Sequence, residues 1–195
     1  SLTQWEMAQQ GEQKWWGQCL NSYGEETKQF DYFTRMGICP TETDPTPQIN
    51  LQGKKILDIG GGPVSFLLKC YNFIGTVIDP LPTPEWVNLR YKAAGITYLK
   101  TKGEDIDLTG FDEVWVYNVL QHVENPKKVI DNVKRAGKII RIHEWVEVLT
   151  DKLHIHILHE NELNEWFGGK GFTQPMPTRI PNYYLTAYWG IFVGL

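Results

Sequence analysis

Three things are scarce in this sequence. No apolar run approaches the roughly 18–20 residues that span a bilayer, so no membrane-crossing segment is expected. Cysteine is limited to Cys19, Cys39 and Cys70, with no CxxC pair. Neither a disulfide framework nor a zinc knuckle is expected, and a reducing, cytoplasmic setting is. An excess of positive charge is also missing. Nineteen Lys and Arg against 23 Asp and Glu leave a formal charge of −4, which argues against a protein held on nucleic acid by phosphate neutralisation. The opening segment SLTQWEMAQQGEQKWW has neither the basic nor the apolar part of a secretory signal, so none is expected. Internal repeats and low-complexity segments are absent as well.

What is present suits one globular domain over residues 1–195. Apolar residues make up 42% and charged residues 22%. Aromatics reach 13%, with eight Trp. Residues 1–37 read as amphipathic helix. Residues 38–52 hold three prolines and several turn formers, and so predict an extended connector. Residues 1–52 therefore form a helical cap with its connector, and residues 53–195 the core.

From Lys54 onward, short β-branched runs alternate with helical patterns. KKILDIG, GTVIDP, ITYLK, FDEVWVYN and KIIRIHEW read as strands. Residues 63–72 and 84–94 read as helices between them. ENPKKVIDNVKRAG is a further helix, with Asn125 as N-cap and Pro126 in its first turn. After the helix ENELNEWFG, the segments GFTQPMP and YYLTAYWGIFVGL are close enough to form an antiparallel hairpin. The pattern predicts an α/β fold: a doubly wound, mostly parallel seven-stranded sheet with that hairpin at its C-terminal edge. The third and fourth strands are joined by TKGEDIDLTG, too short for a full helix.

ILDIGGGPVSF carries the most information. A strand running into glycines lets a ligand approach the backbone closely. Asp58 lies two residues before Gly60, and Asp79 ends the next strand, where an acid binds the two hydroxyls of a ribose. The ligand therefore contains a nucleoside. The dinucleotide fingerprint fails, because Ser65 stands at its third glycine. Asp58 would add like charge beside a pyrophosphate, and suits a ligand whose end carries an ammonium group.

ILDIGGGP, the strand-end acid of VIDP, and FDEVWVYNVLQHVENPKKVIDNV together resemble the Rossmann-like (class I) S-adenosylmethionine-dependent methyltransferases. The texture is closest to the small-molecule branch of ubiquinone and menaquinone biosynthesis. The resemblance covers residues 54–145, with Val64 where the family's last loop glycine usually stands. It implies an enzyme with S-adenosylmethionine as cofactor and a small-molecule acceptor, with no nucleic-acid partner. Asp58, Gly60, Gly61 and Gly62 would approach the methionine end. Asp79 would hold the ribose, and Glu104 or Asp105 the adenine edge. Asn118 would face the methionine end.

A methyl group on a sulfonium is already activated, so transfer is an in-line displacement that needs alignment above all. A base is required only where the acceptor must lose a proton. His143, after the fifth strand, is the candidate base, with Glu144 orienting a nearby group. His122 would contact the acceptor. Trp15, Trp16 and Tyr23 would form an aromatic lid, Trp16 and Tyr23 touching substrate. His154, His156 and His159 form H-x-H-x-x-H, a spacing that fits a metal, although no metal site is expected. YNVL after the fourth strand lacks the signature of nucleic-acid amino-methylating enzymes, and no catalytic Cys stands there. Two alternatives stay open: a cofactor-binding protein without transfer activity, and a nicotinamide-dependent oxidoreductase.

Overall fold

The computed structural model describes residues 1–17, 19–40 and 48–195, and of residues 19–23 the backbone only. All seven expected strands form: β1 (Ile49–Ile59), β2 (Cys70–Asp79), β3 (Thr97–Lys100), β4 (Phe111–Tyr117), β5 (Gly137–Val146), β6 (Phe172–Pro177) and β7 (Tyr184–Val193). They make one sheet in the order β3-β2-β1-β4-β5-β7-β6. β1 through β5 pair in parallel, while β7 runs antiparallel to both β5 and β6. This is the doubly wound sheet with a C-terminal hairpin. The strand order reverses between β1 and β4, the point at which open α/β sheets bind ligands beyond the strands' carboxyl ends.

Each face carries its own core. Leu57, Ile59, Val114, Val116, Ile140 and Ile142 point to one face, under helices α4 (Pro126–Ala136) and α5 (Glu160–Phe167). α4 begins as its sequence predicts: the Asn125 side chain accepts from Lys128 N–H at 3.0 Å, and Pro126 follows it. Ile56, Val77, Trp115 and Tyr117 point to the other face, with Val87 and Tyr91 of α3 (Glu85–Ala93).

Three elements differ from the sequence pattern. The helical N-terminus is two helices, α1 (Gln4–Trp16) and α2 (Cys19–Arg35), the first ending at Gly17. α1 starts at a capping box between Thr3 and Glu6. The connector is shorter than expected, since β1 already begins at Ile49. The helix expected over 63–72 shrinks to a 3-10 turn at Phe66–Lys69, because YNFIGTVID continues as β-rich sequence and joins β2.

The β1-to-β2 crossover thus has only residues 60–69, where parallel strands usually need a dozen or more residues and a helix. α2 covers the sheet face that such a helix would occupy. Phe33 stacks on Phe66 at 3.8 Å and meets Trp115 and Tyr117 edge-on at 4.9 and 4.8 Å. Gln29 Nε2 donates to Val64 O at 2.7 Å. Among the described residues, no helix is long and apolar enough to cross a membrane.

Candidate functional site: a lidded cavity at the sheet switch point

The glycine turn is held from below. Gly60 has φ +66°, and a Cβ there would lie 2.1 Å from Val119 Cγ2, so only glycine fits. A Cβ at Gly61 would lie 2.8 Å from the Asp58 carboxylate tucked beneath it. Asp58 is fully buried. Its Oδ2 accepts from Ser65 Oγ at 2.5 Å and from the Tyr117 hydroxyl at 2.6 Å. Burial pushes its carboxyl up to about 7, against those two hydrogen bonds. Tyr117 also accepts from Phe66 N–H, and Tyr91 of α3 donates to Gly62 O and accepts from Ser65 N–H. Two buried tyrosine hydroxyls therefore fix the loop. Tyr91 lies in no motif, and Tyr117, inside FDEVWVYN, reads from sequence only as strand, so the pattern gives neither hydroxyl a role.

Above the loop, at the carboxyl ends of the strands, lies a cavity of about 340 Å³. That is within the range of roughly 300–1,000 Å³ usual for small-molecule sites. Asp79 forms part of its wall. Its Oδ2 accepts from Gly62 N–H at 3.1 Å and its Oδ1 from Leu81 N–H at 2.9 Å. Burial raises its carboxyl to about 7, with the Leu81 N–H opposing and Glu12 adding to the rise. Glu104 also lines the cavity, with Oε1 held by Asn125 N–H at 2.9 Å, whereas Asp105 is exposed and outside the wall. Gly60 and Asn118 reach the wall as well, Asn118 in a left-handed conformation at φ +52°.

α1 closes the cavity. Trp5, Gln9 and Glu12 lie at i, i+4 and i+7, one helix face, and all three meet His122. Trp5 Nε1 and Gln9 Nε2 donate to the His122 carbonyl at 3.1 and 3.4 Å. Glu12 Oε1 lies 2.9 Å from His122 Nδ1, which also faces Leu153 O at 2.9 Å. Although burial opposes it, the Glu12 carboxylate raises His122 to about 9, so the imidazolium is the form present at neutral pH. Trp16 lies over Gly62, within 4 Å of where a Cβ would stand. Trp15 meets Trp16 edge-on at 4.7 Å. The Tyr23 side chain lies outside the described residues.

Two expected site residues stand behind the wall. His143 is fully buried, stacked 4.3 Å from Tyr32, with Nε2 accepting from Arg35 Nη1 at 3.1 Å. Burial, then the Arg35 charge, lowers it to about 3, so it is neutral and shielded from the cavity. Strand alternation explains the position: His143 shares its face with Arg141 and Trp145, under α2. Glu144 points to the opposite face. Its Oε1 accepts from Val119 and Leu120 N–H, which shapes the turn after β4. The three histidines of H-x-H-x-x-H go separate ways, to Asp151, Val123 O and Glu147. Among the described residues, no group of three or more His, Cys, Asp or Glu could hold a metal ion.

Residues 57–139 match the protein family described as a methyltransferase domain. That segment of the chain is a methyltransferase domain. S-adenosylmethionine is the cofactor of this domain. The cavity suits that group: a strand-end acid, a glycine turn and aromatic cover meet around it. No curated protein matches the chain in sequence. Among solved structures, the methyltransferase domain is similar in fold to the YcgJ protein of Bacillus subtilis at 12% identity and TM-score 0.57, over 73% of this chain and 92% of that one. It is similar to the magnesium protoporphyrin IX methyltransferase of Synechocystis, solved with S-adenosylmethionine, at 14% identity and TM-score 0.53, over 87% and 78%. It is also similar to a phosphoethanolamine N-methyltransferase of Haemonchus contortus at 12% identity and TM-score 0.62. There it covers 86% of this chain and about half, 52%, of the other.

Proposed function

We propose that the chain transfers a methyl group from S-adenosylmethionine to a small-molecule acceptor held beneath α1, and that it works as one catalytic domain with α1 and α2 packed over the sheet. The observation that carries this is the two-ended cavity. One end is walled by Asp79 of β2 and by Thr101 to Glu104 after β3; the other by Glu25, Lys28 and Tyr32 of α2 and by Trp145 and Val148 at the end of β5. The sheet order puts β4 and Asn118 between them.

The bound cofactor supplies a methyl group already activated on a sulfonium. Asp79 would accept from the ribose hydroxyls and Glu104 from the adenine edge. Tyr32 and Trp145, perpendicular at 6.1 Å, form an aromatic corner for the acceptor. Trp5, Trp15 and Trp16 exclude water. His122 stays protonated beside Glu12 and so serves as a wall cation and not as a base. His143 has no access to the acceptor. Rate enhancement then rests on holding donor and acceptor in line.

The test supplies the protein with methyl-labelled S-adenosylmethionine and, separately, with low-molecular-mass, RNA and protein fractions of a cell extract. Label is expected in the low-molecular-mass fraction. Label confined to RNA or protein contradicts the reading.

A further inference from the structure

We propose that Gln9 and Gln121 grip the amino-acid end of the cofactor, in the role the sequence pattern gives to Asp58, so that α1 closes on bound cofactor. This rests on the cofactor reading above. Asp58 is outside the cavity wall and already bonded to Ser65 and Tyr117. The ammonium and carboxylate of a bound cofactor must find partners elsewhere.

Among the described residues, five buried side-chain atoms have no hydrogen-bond partner: Gln9 Oε1, Asp58 Oδ1, Gln121 Nε2, His143 Nδ1 and Glu144 Oε2. Only Gln9 and Gln121 of these residues line the cavity. Leaving a buried polar group unpaired costs about 1–3 kcal/mol, so two such atoms on residues that line one cavity mark a ligand. Gln121 is 2% exposed and sits in the turn after β4, three residues past Asn118. Gln9 comes from the lid.

Their polarity is complementary. Gln9 Nε2 is engaged with the His122 carbonyl, which leaves Oε1 as an unpaired acceptor beside the cavity. Gln121 offers Nε2 as a donor. One acceptor and one donor match the ammonium and the carboxylate of an α-amino acid. The adjacent charges do not compete, since Glu12 and the His122 imidazolium pair with each other. Because Gln9 rides on α1 beside Trp5 and Glu12, a bound amino-acid end fastens the lid from inside.

The experiment compares two ligands by calorimetry on the full chain: S-adenosylhomocysteine, and 5′-methylthioadenosine, which keeps the nucleoside and thioether but lacks the amino-acid arm. Wild type should bind the first more tightly. Gln9→Leu and Gln121→Leu should each weaken S-adenosylhomocysteine about tenfold, the scale of one lost hydrogen bond, and leave 5′-methylthioadenosine unchanged. Asp58→Asn should keep the wild-type preference. Thermal melting establishes that each variant is folded, and Gln9→Leu on the half-exposed lid carries the test where Gln121→Leu does not fold. Variants that keep the wild-type preference, or lose both ligands equally, overturn the inference. Failure of wild type to bind either ligand overturns the cofactor reading itself.

Discussion

Asp58 and Asp79 both end buried strands, yet they do different work. Asp79 faces the cavity; Asp58 faces the core beneath the glycine turn, on the side of Ile56 and Trp115. Removing the Tyr117 hydroxyl takes one hydrogen bond from Asp58 and an acceptor from Phe66 N–H. Tyr117→Phe should therefore lower unfolding free energy by about 1–3 kcal/mol, read from the denaturant midpoint. The Asp58 carboxyl is raised to about 7 by burial. Between the ordinary carboxylate range and that value, the native chain holds a proton that the unfolded chain has released. Its contribution to stability thus falls as pH climbs from about 4 to about 7. Asp79 and Glu144, also raised to about 7, act in the same direction. His143, lowered to about 3, acts oppositely: its protonation on unfolding costs stability as pH falls below about 6.5. Asp58→Asn removes one of the three carboxylates. The loss of melting temperature between pH 4 and pH 7 should be smaller in that variant; an unchanged slope would contradict the assignment.

At the level of elements, the N-terminal helices do what the shortened crossover leaves undone. The segment after the glycines holds Ser65, Phe66 and Leu67 in a single turn, and α2 supplies the missing cover through Phe33. Helical periodicity in a ten-residue window was not enough to separate that turn from the start of β2, and no local signal shows that a distant helix fills the face. α1 hangs on His122. That histidine is raised to about 9, so the Glu12 pairing is complete below about pH 6.5 and is lost as pH rises through 9. Its ring also faces His154 at 4.6 Å, with Leu153 O and Glu144 nearby. Protection of α1 from limited proteolysis should decline from pH 6.5 to pH 9. Glu12→Gln should start less protected and show a weaker decline. Equal protection at both ends of that range would remove the latch.

For the molecule as a whole, the strand runs were legible because seven β-rich segments alternate with turns and helices, and the short link between the last two marked the hairpin, whereas the order of strands in the sheet carries no local signal. Asp79 and Gly60 were legible as wall residues because strand ends at a switch point face the ligand; Glu104 came from the family resemblance, together with Asp105, which lies outside the wall. The orientations of His143 and Glu144 were not, since a strand-end motif gives position along the chain while the face depends on alternation and on α2. Gln9 and Glu12 carry no motif, Gln121 lies in one that assigns it no role, and their convergence exists only once α1 folds over the sheet. Every role proposed for the cavity depends on Asp79 holding an adenosine-bearing cofactor there. The most direct measurement is calorimetric binding of S-adenosylhomocysteine to wild type and to Asp79→Asn. Saturable one-to-one binding is expected, weakened in the variant by about 1–3 kcal/mol through lost charge-assisted hydrogen bonds. No binding by wild type, or equal affinity in the two proteins, would contradict it.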